Sequence, residues 1–231
     1  MKRSLPVVIL VLLLVGVAAS QSPTPSPGAA APASDLKSVL AEMDKAGAAF
    51  KSAQADIELV QYTKVVNDTD VQTGQIFFRR KGSDMEVAIR VLQPHPKQVV
   101  IKDGKLIFYD QKINQTTERD ITHNRADVES FMNLGFGGRS PELLRDYDVK
   151  MAGWETVDGV RVAKLELAAK SERLQQFFSK IILWIDPARD VAVKQQRIES
   201  SGDYQVTHYT KIKLNGKVPR DVFQVKKAGS E

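Results

Sequence analysis

The chain has no cysteine among its 231 residues. That excludes a disulfide scaffold, a thiol nucleophile and a thiolate metal site, and it leaves no cysteine to carry a lipid, so the chain is not itself a lipoprotein. Histidine is scarce as well. His95, His123 and His208 are far apart and form neither the H-x-H nor the H-x-x-x-H spacing that puts two imidazoles on one face of a strand or helix. There is no G-x-S-x-G elbow, no P-loop and no dinucleotide fingerprint. The glycines at 135–138 follow a helical pattern instead of a strand, which fits a hinge or lid edge better than a phosphate cradle. Acidic residues are scattered singly, so a carboxylate pair assembled in space is the one catalytic arrangement left open. The reading is of a protein that is not an enzyme and needs no cofactor or metal. A surplus of one charge is lacking too: the formal charge is +5, Lys2 and Arg3 supply two of it, and so small an excess makes no case for nucleic acid.

No apolar run reaches the ~20 residues of a membrane span. The longest, residues 5–17, is interrupted by Pro6, follows Lys2-Arg3 and leads into Ala18-Ala19-Ser20, the layout of a secretory signal peptide over residues 1–20. Cleavage is expected after Ala19 or Ser20, with an uncleaved anchor as the alternative. Residues 21–34, QSPTPSPGAAAPAS, contain no large apolar side chain and read as a flexible linker. One globular domain over residues 35–225 and a short tail, 226–231, complete the organisation.

What is plentiful is strand signal. After an amphipathic helix from Ser34 or Asp35 to about Phe50, with Leu36, Val39, Leu40 and Met43 on one face, about eleven β-runs follow. The expected runs are 55–66, 71–80, 85–92, 97–102, 105–109, 112–117, 147–152, 154–157, 160–169, 181–185, 190–199 and 203–214. Turns such as Asp103-Gly104, Asp158-Gly159 and Asn215-Gly216 separate them, and no crossover helices intervene, so the sheet should be antiparallel. Residues 124–144 break the pattern. Val128, Phe131, Met132 and Leu134 share a helical period, and Ser140-Pro141 opens a second short helix with serine as N-cap. A helical insertion between two halves of a sheet covers one of its faces.

Within 74–110 a period of two places Gly74, Ile76, Phe78 and Arg80 on one side of a strand. Either the strand ends by Arg80 and the guanidinium reaches water, or it must collect carbonyls or a carboxylate from elsewhere. Arg79 points the other way and should matter little to what happens on the Arg80 side. The stretch resembles the LolA-type family of periplasmic outer-membrane lipoprotein carriers. The resemblance rests on Gly74, the Ile76-Phe77-Phe78 run, Arg79-Arg80, Pro94, the Asp103-Gly104 turn, the strand Leu106-Ile107-Phe108-Tyr109-Asp110 and the late strand Ile182-Leu183-Trp184-Ile185-Asp186. The family usually has proline after the second basic residue, where this chain has Lys81-Gly82.

The resemblance implies a mainly β fold: a curved, incompletely closed antiparallel half-barrel covered by helices and enclosing an apolar cavity. It implies a carrier that binds lipoprotein acyl chains and moves them from the inner to the outer membrane across the periplasm. Arg80 would be the lid latch. Ile76, Phe78, Val87, Ile89, Val91, Leu165, Leu167 and Leu183 would line the cavity, with Ile107 and Ile185 beside them and Phe131, Met132, Leu134 and Phe136 on the cover. The same apolar residues would also serve an ordinary dry core. Implied partners are acylated lipoprotein cargo, an inner-membrane ABC-type lipoprotein release complex and an outer-membrane lipoprotein receptor, with the carrier a monomer. The alternative is an envelope lipid-binding sensor or interaction domain of the same fold. Regulators of that kind usually carry an additional C-terminal domain, and the end of this chain soon after Phe223 favours the carrier.

Overall fold

The structure is a computed structural model that describes residues 33–82, 84–124, 128 and 134–225. The expected signal peptide, most of the linker and the tail lie outside the described residues. Eleven strands pair into one antiparallel sheet: β1 (Ser52–Thr63), β2 (Asp68–Lys81), β3 (Asp84–Gln93), β4 (Lys97–Lys102), β5 (Lys105–Asp110), β6 (Gln115–Asp120), β7 (Tyr147–Val157), β8 (Val160–Ala169), β9 (Lys180–Asp186), β10 (Val191–Ile198) and β11 (Tyr204–Leu214). Their spatial order is β6-β5-β4-β3-β2-β1-β11-β10-β9-β8-β7. Each strand therefore neighbours its sequence neighbour, except where β1 meets β11. The sheet has two free edges, β6 and β7, and is an open, curved half-barrel. Its helices are α1 (Ala33–Ala48), α2 (Ser140–Asp146) and the single turn α3 (Glu172–Gln175), with 3-10 turns at Thr122–Asn124 and Arg220–Phe223. Among the described residues no helix is long and apolar enough to cross a membrane.

The cross-strand register sorts the side chains. Ala53, Phe78, Val87 and Ile101 form one row across β1 to β4, and Ala55, Ile76, Ile89 and Val99 form the next row on the same face. These rows belong to the concave face, where Phe136 packs on them. Phe77, Ala88, Val100 and Ile107 form the alternate row on the convex face. There they are covered by Val218, Val222 and Phe223 from the C-terminal segment. Gln98 Nε2 holds that segment through the carbonyls of Val222 (3.0 Å) and Gln224 (3.1 Å). Ile107 is thus on the convex side, not in the concave face as expected. Its pairing with Val100 fixes that parity, since a shift of one residue exchanges the faces of a strand.

Two further expectations need correction. The strand expected at 112–117 lies at Gln115–Asp120, because Asn114 adopts a left-handed φ of 49° and closes the turn, with Lys112 N donating to Asp110 Oδ1 at 2.9 Å. Ser140 does not cap its own helix. Its backbone N donates to Asp44 Oδ1 at 2.7 Å and its hydroxyl to Asp44 Oδ2, so a carboxylate from α1 supplies the N-terminal acceptor and ties α1 to α2.

Candidate functional site

The chain leaves the sheet at one edge, β6, and re-enters at the other, β7, so the connection between them must cross a face. Of its described residues, 134–138 cross the concave side. Ala192 N donates to Gly135 O at 2.7 Å, at a register shift between β9 and β10 that leaves Ala192 free to do so. Phe136 lies flat on Phe78, with ring centroids 4.3 Å apart, and meets Tyr209 edge-on at 5.1 Å. Gly137 is confined by Phe50: a Cβ there would stand 2.5 Å from the ring, and φ is +67°. Only glycine fits both the backbone and the space.

Arg80, at the end of β2, donates from Nη2 to the carbonyl of Gly137 at 2.8 Å. The sequence left two fates open for this side chain; its partner is a backbone carbonyl of the crossing segment. Its Nε is buried without an acceptor among the described residues. On the other side of Gly137, whose N–H donates to the main-chain oxygen of Asp190 (3.4 Å), sits the Asp190 carboxyl. It is 0% exposed, and neither oxygen has a hydrogen-bond partner among the described residues. Burial pushes its pKa up to about 8; the nearby Asp44 carboxylate adds to the rise, while Arg80 and the close Gly137 N–H oppose it. Gly47 of α1 makes room for it, since a Cβ there would lie 2.8 Å from Asp190 Oδ2. Nothing in the sequence pointed to Asp190, which stood only as the first residue of the strand expected at 190–199.

Arg80 and Asp190 border a cavity of about 460 Å³ whose apolar lining includes Met43, Met85, Leu134, Leu143 and Leu183, with Arg139, Glu142 and Arg145 among its polar lining. A smaller hollow of about 90 Å³ lies further along the concave face and takes Ile76, Phe78, Ile89 and Val91 into its wall, again with Leu134. Of the residues expected to line a cavity, these hollows bring together Ile76, Phe78, Ile89, Val91, Leu134, Leu183 and Arg80. Val87 and Phe136 pack in the cluster around Phe78, and Leu165 and Leu167 in a second cluster that α1 joins through Val39, Leu40 and Met43. Ile185 is in that second cluster too. Phe131 and Met132 lie outside the described residues. Of the expected covering helix, Val128 is helical and Leu134 is in a turn. No group of three or more His, Asp or Glu among the described residues is arranged to hold a metal ion.

On the opposite face Arg79 lies 4.2 Å over the Phe223 ring and pairs with Glu86, which is only 3% exposed. Arg79 itself is half-buried, its side chain 32% exposed.

No protein-family model and no curated protein sequence matches the chain. Solved structures do resemble it. An uncharacterized conserved protein from Thermus thermophilus superposes with a TM-score of 0.54 at 11% identity, over 84% of this chain and 96% of the other. MucB from Pseudomonas aeruginosa, in its complex with MucA, gives 0.53 at 16% identity, over 83% of this chain and 61% of the other. The LolA superfamily protein NE2245 from Nitrosomonas europaea gives 0.40 at 14% identity, over 82% and 97%. What the chain shares with the Thermus protein and with MucB is the fold, an open, curved antiparallel sheet.

Proposed function

We propose that the chain is a periplasmic carrier that takes the acyl chains of lipoproteins into the cavity between the concave sheet and the 134–146 segment, and moves them from the inner to the outer membrane. The observation that carries this reading is the 460 Å³ cavity, in whose wall Met43, Met85, Leu134, Leu143 and Leu183 sit among charged side chains, edged by an arginine that holds the crossing segment by a backbone carbonyl. A charge-assisted hydrogen bond of this kind is worth ~1.5–3 kcal/mol. Burial of an acyl chain contributes ~0.8 kcal/mol per methylene, so about two to four methylenes offset the latch. No covalent step is required, and Arg80 acts as a lid latch, not as a reactive group. Cargo would arrive from an inner-membrane ABC-type release complex and leave to an outer-membrane lipoprotein receptor. Residues 1–20 would direct export, and 21–34 would serve as a spacer ahead of the domain at 35–225. The test is titration of the purified domain with a fluorescent dipalmitoylated cysteine peptide and its unacylated counterpart. Saturable binding of the first alone supports the carrier; equal or absent binding of both contradicts it.

A second reading has its own support. MucB, whose solved complex contains MucA, has a similar fold, and a concave face that closes over a peptide would suit a sensor or interaction domain that does not transport. Binding of the unacylated peptide in the same titration would favour it.

A further inference from the structure

The 90 Å³ hollow has two unlike sides. Ile57, Ile76, Ile89 and Val91 make one of them apolar, while Arg197 of β10 and Thr207 of β11 contribute to the other. Gln195 beside them is already engaged, its Oε1 accepting from Tyr209 at 3.1 Å. Arg197 is different. It makes no ion pair or hydrogen bond with any described residue, and its Nε is enclosed without an acceptor. Its one close neighbour of note is the Phe178 ring, 5.3 Å from the guanidinium carbon. Burial pushes its pKa down, with Tyr209 and Glu199 only opposing in part. Arg197 is half-buried, with Nε its enclosed atom, and a cation held against apolar strands with no counter-charge in contact carries a desolvation cost. Two buried acids are managed otherwise: Glu86 has Arg79, and Asp190 is held up to about 8 so that it stays neutral at pH 7. Arg197 can do neither, since a guanidinium does not give up its proton.

We propose that this hollow is the seat of an anionic head group. Arg197 receives the carboxylate or phosphate of a single-chain amphiphile, and the chain runs over Ile76 and Ile89, past Leu134, into the larger cavity. Leu134 lines both spaces and marks the passage between them. The planar guanidinium matches two oxygens of either anion, and an anion here gains most because it replaces no existing partner. This inference rests on the reading that the concave face binds acyl chains, and adds to it a seat for a free anionic amphiphile, distinct from the esterified chains of a lipoprotein.

Calorimetric titration of the whole purified protein with laurate, dodecyl phosphate and methyl laurate tests it. Laurate, dodecyl phosphate or both should bind at least about tenfold more tightly than the neutral ester, and which of them does so tells carboxylate from phosphate recognition. In Arg197→Met the preference should vanish while methyl laurate binds as before. The variant should fold, because it exchanges an unpaired cation for an apolar side chain; Arg197→Gln serves the same comparison should Arg197→Met be lost. Ester and anions binding alike to the unaltered protein, or a preference that survives in the variant, would overturn the head-group seat and leave the carrier reading standing. Failure of all three ligands to bind saturably would likewise overturn the head-group seat, while the carrier reading stands or falls with the dipalmitoylated peptide.

Discussion

Arg80 and Gly137 are 57 residues apart in sequence and 2.8 Å apart in space, guanidinium nitrogen to carbonyl oxygen. This contact joins the end of β2 to the segment that crosses the concave face, and the lid mechanism depends on it. In Arg80→Leu the donor is gone, so the closed state loses ~1.5–3 kcal/mol relative to any open one, a shift of about ten- to a hundredfold. The variant should take up acyl cargo normally and give it up poorly. A transfer assay to acceptor vesicles, run alongside the unaltered protein, reads the difference; equal release rates would remove Arg80 as the latch.

Asp190 should make stability depend on pH. Its folded pKa, about 8, lies above the ~3.9 of an unfolded aspartate, so the folded state holds the proton more tightly. The stabilisation is complete below about pH 4 and is lost as pH rises through about 8. Asp190→Asn, which cannot ionise, should flatten that dependence and be more stable than the unaltered chain at pH 8, because it escapes the cost of binding a proton or burying a charge there. Urea denaturation at pH 5 and pH 8 checks it. Parallel curves for the two proteins at both values would contradict the assignment.

Arg79→Leu should leave cargo release unchanged yet weaken the fold. It strips Glu86 of its close partner, leaving Lys81 at 3.6 Å as the remaining cation, and it removes the guanidinium stacked over Phe223. A cost of roughly 1–3 kcal/mol follows from an incompletely paired buried carboxylate. The double variant Arg79→Leu/Glu86→Leu should recover most of it. A thermal melt in which the double variant is no better than the single would show that packing on Phe223, not charge, is what Arg79 supplies.

Gly137→Ala tests the fit of the crossing segment. An added Cβ meets the Phe50 ring at 2.5 Å, and φ of +67° strains any L side chain. The segment should be displaced and its amides from Gly135 to Gly138 exchange faster, while the β2 and β10 amides stay protected. Hydrogen exchange resolves the two groups, and uniform loss of protection would mean that the segment is part of the global core.

Much of the fold was legible because strand signals are local. Alternation fixed which side Ile76, Phe78 and Arg80 share, and the Asp103-Gly104 and Asp158-Gly159 turns placed their hairpins. Parity across several hairpins was less so: Ile107 fell on the convex side because its face depends on the register of each pair between it and Phe77. The C-terminal cover over Phe77 was invisible for the same reason, since Val222 and Phe223 carry no mark of what they pack on. The site was legible only at its rim. Arg80 stood out as a charge on an apolar strand face, whereas Asp190 and Arg197 have sequence surroundings like those of any exposed polar residue and become conspicuous only when burial and missing partners are seen.

The central claim is that the concave face holds acyl chains. Native mass spectrometry of the protein purified from its own envelope tests it most directly. The carrier account predicts a population heavier than the polypeptide by the mass of an acylated ligand, lost on chloroform–methanol extraction and enriched in Arg80→Leu. A protein that carries no acyl mass in either form would contradict it.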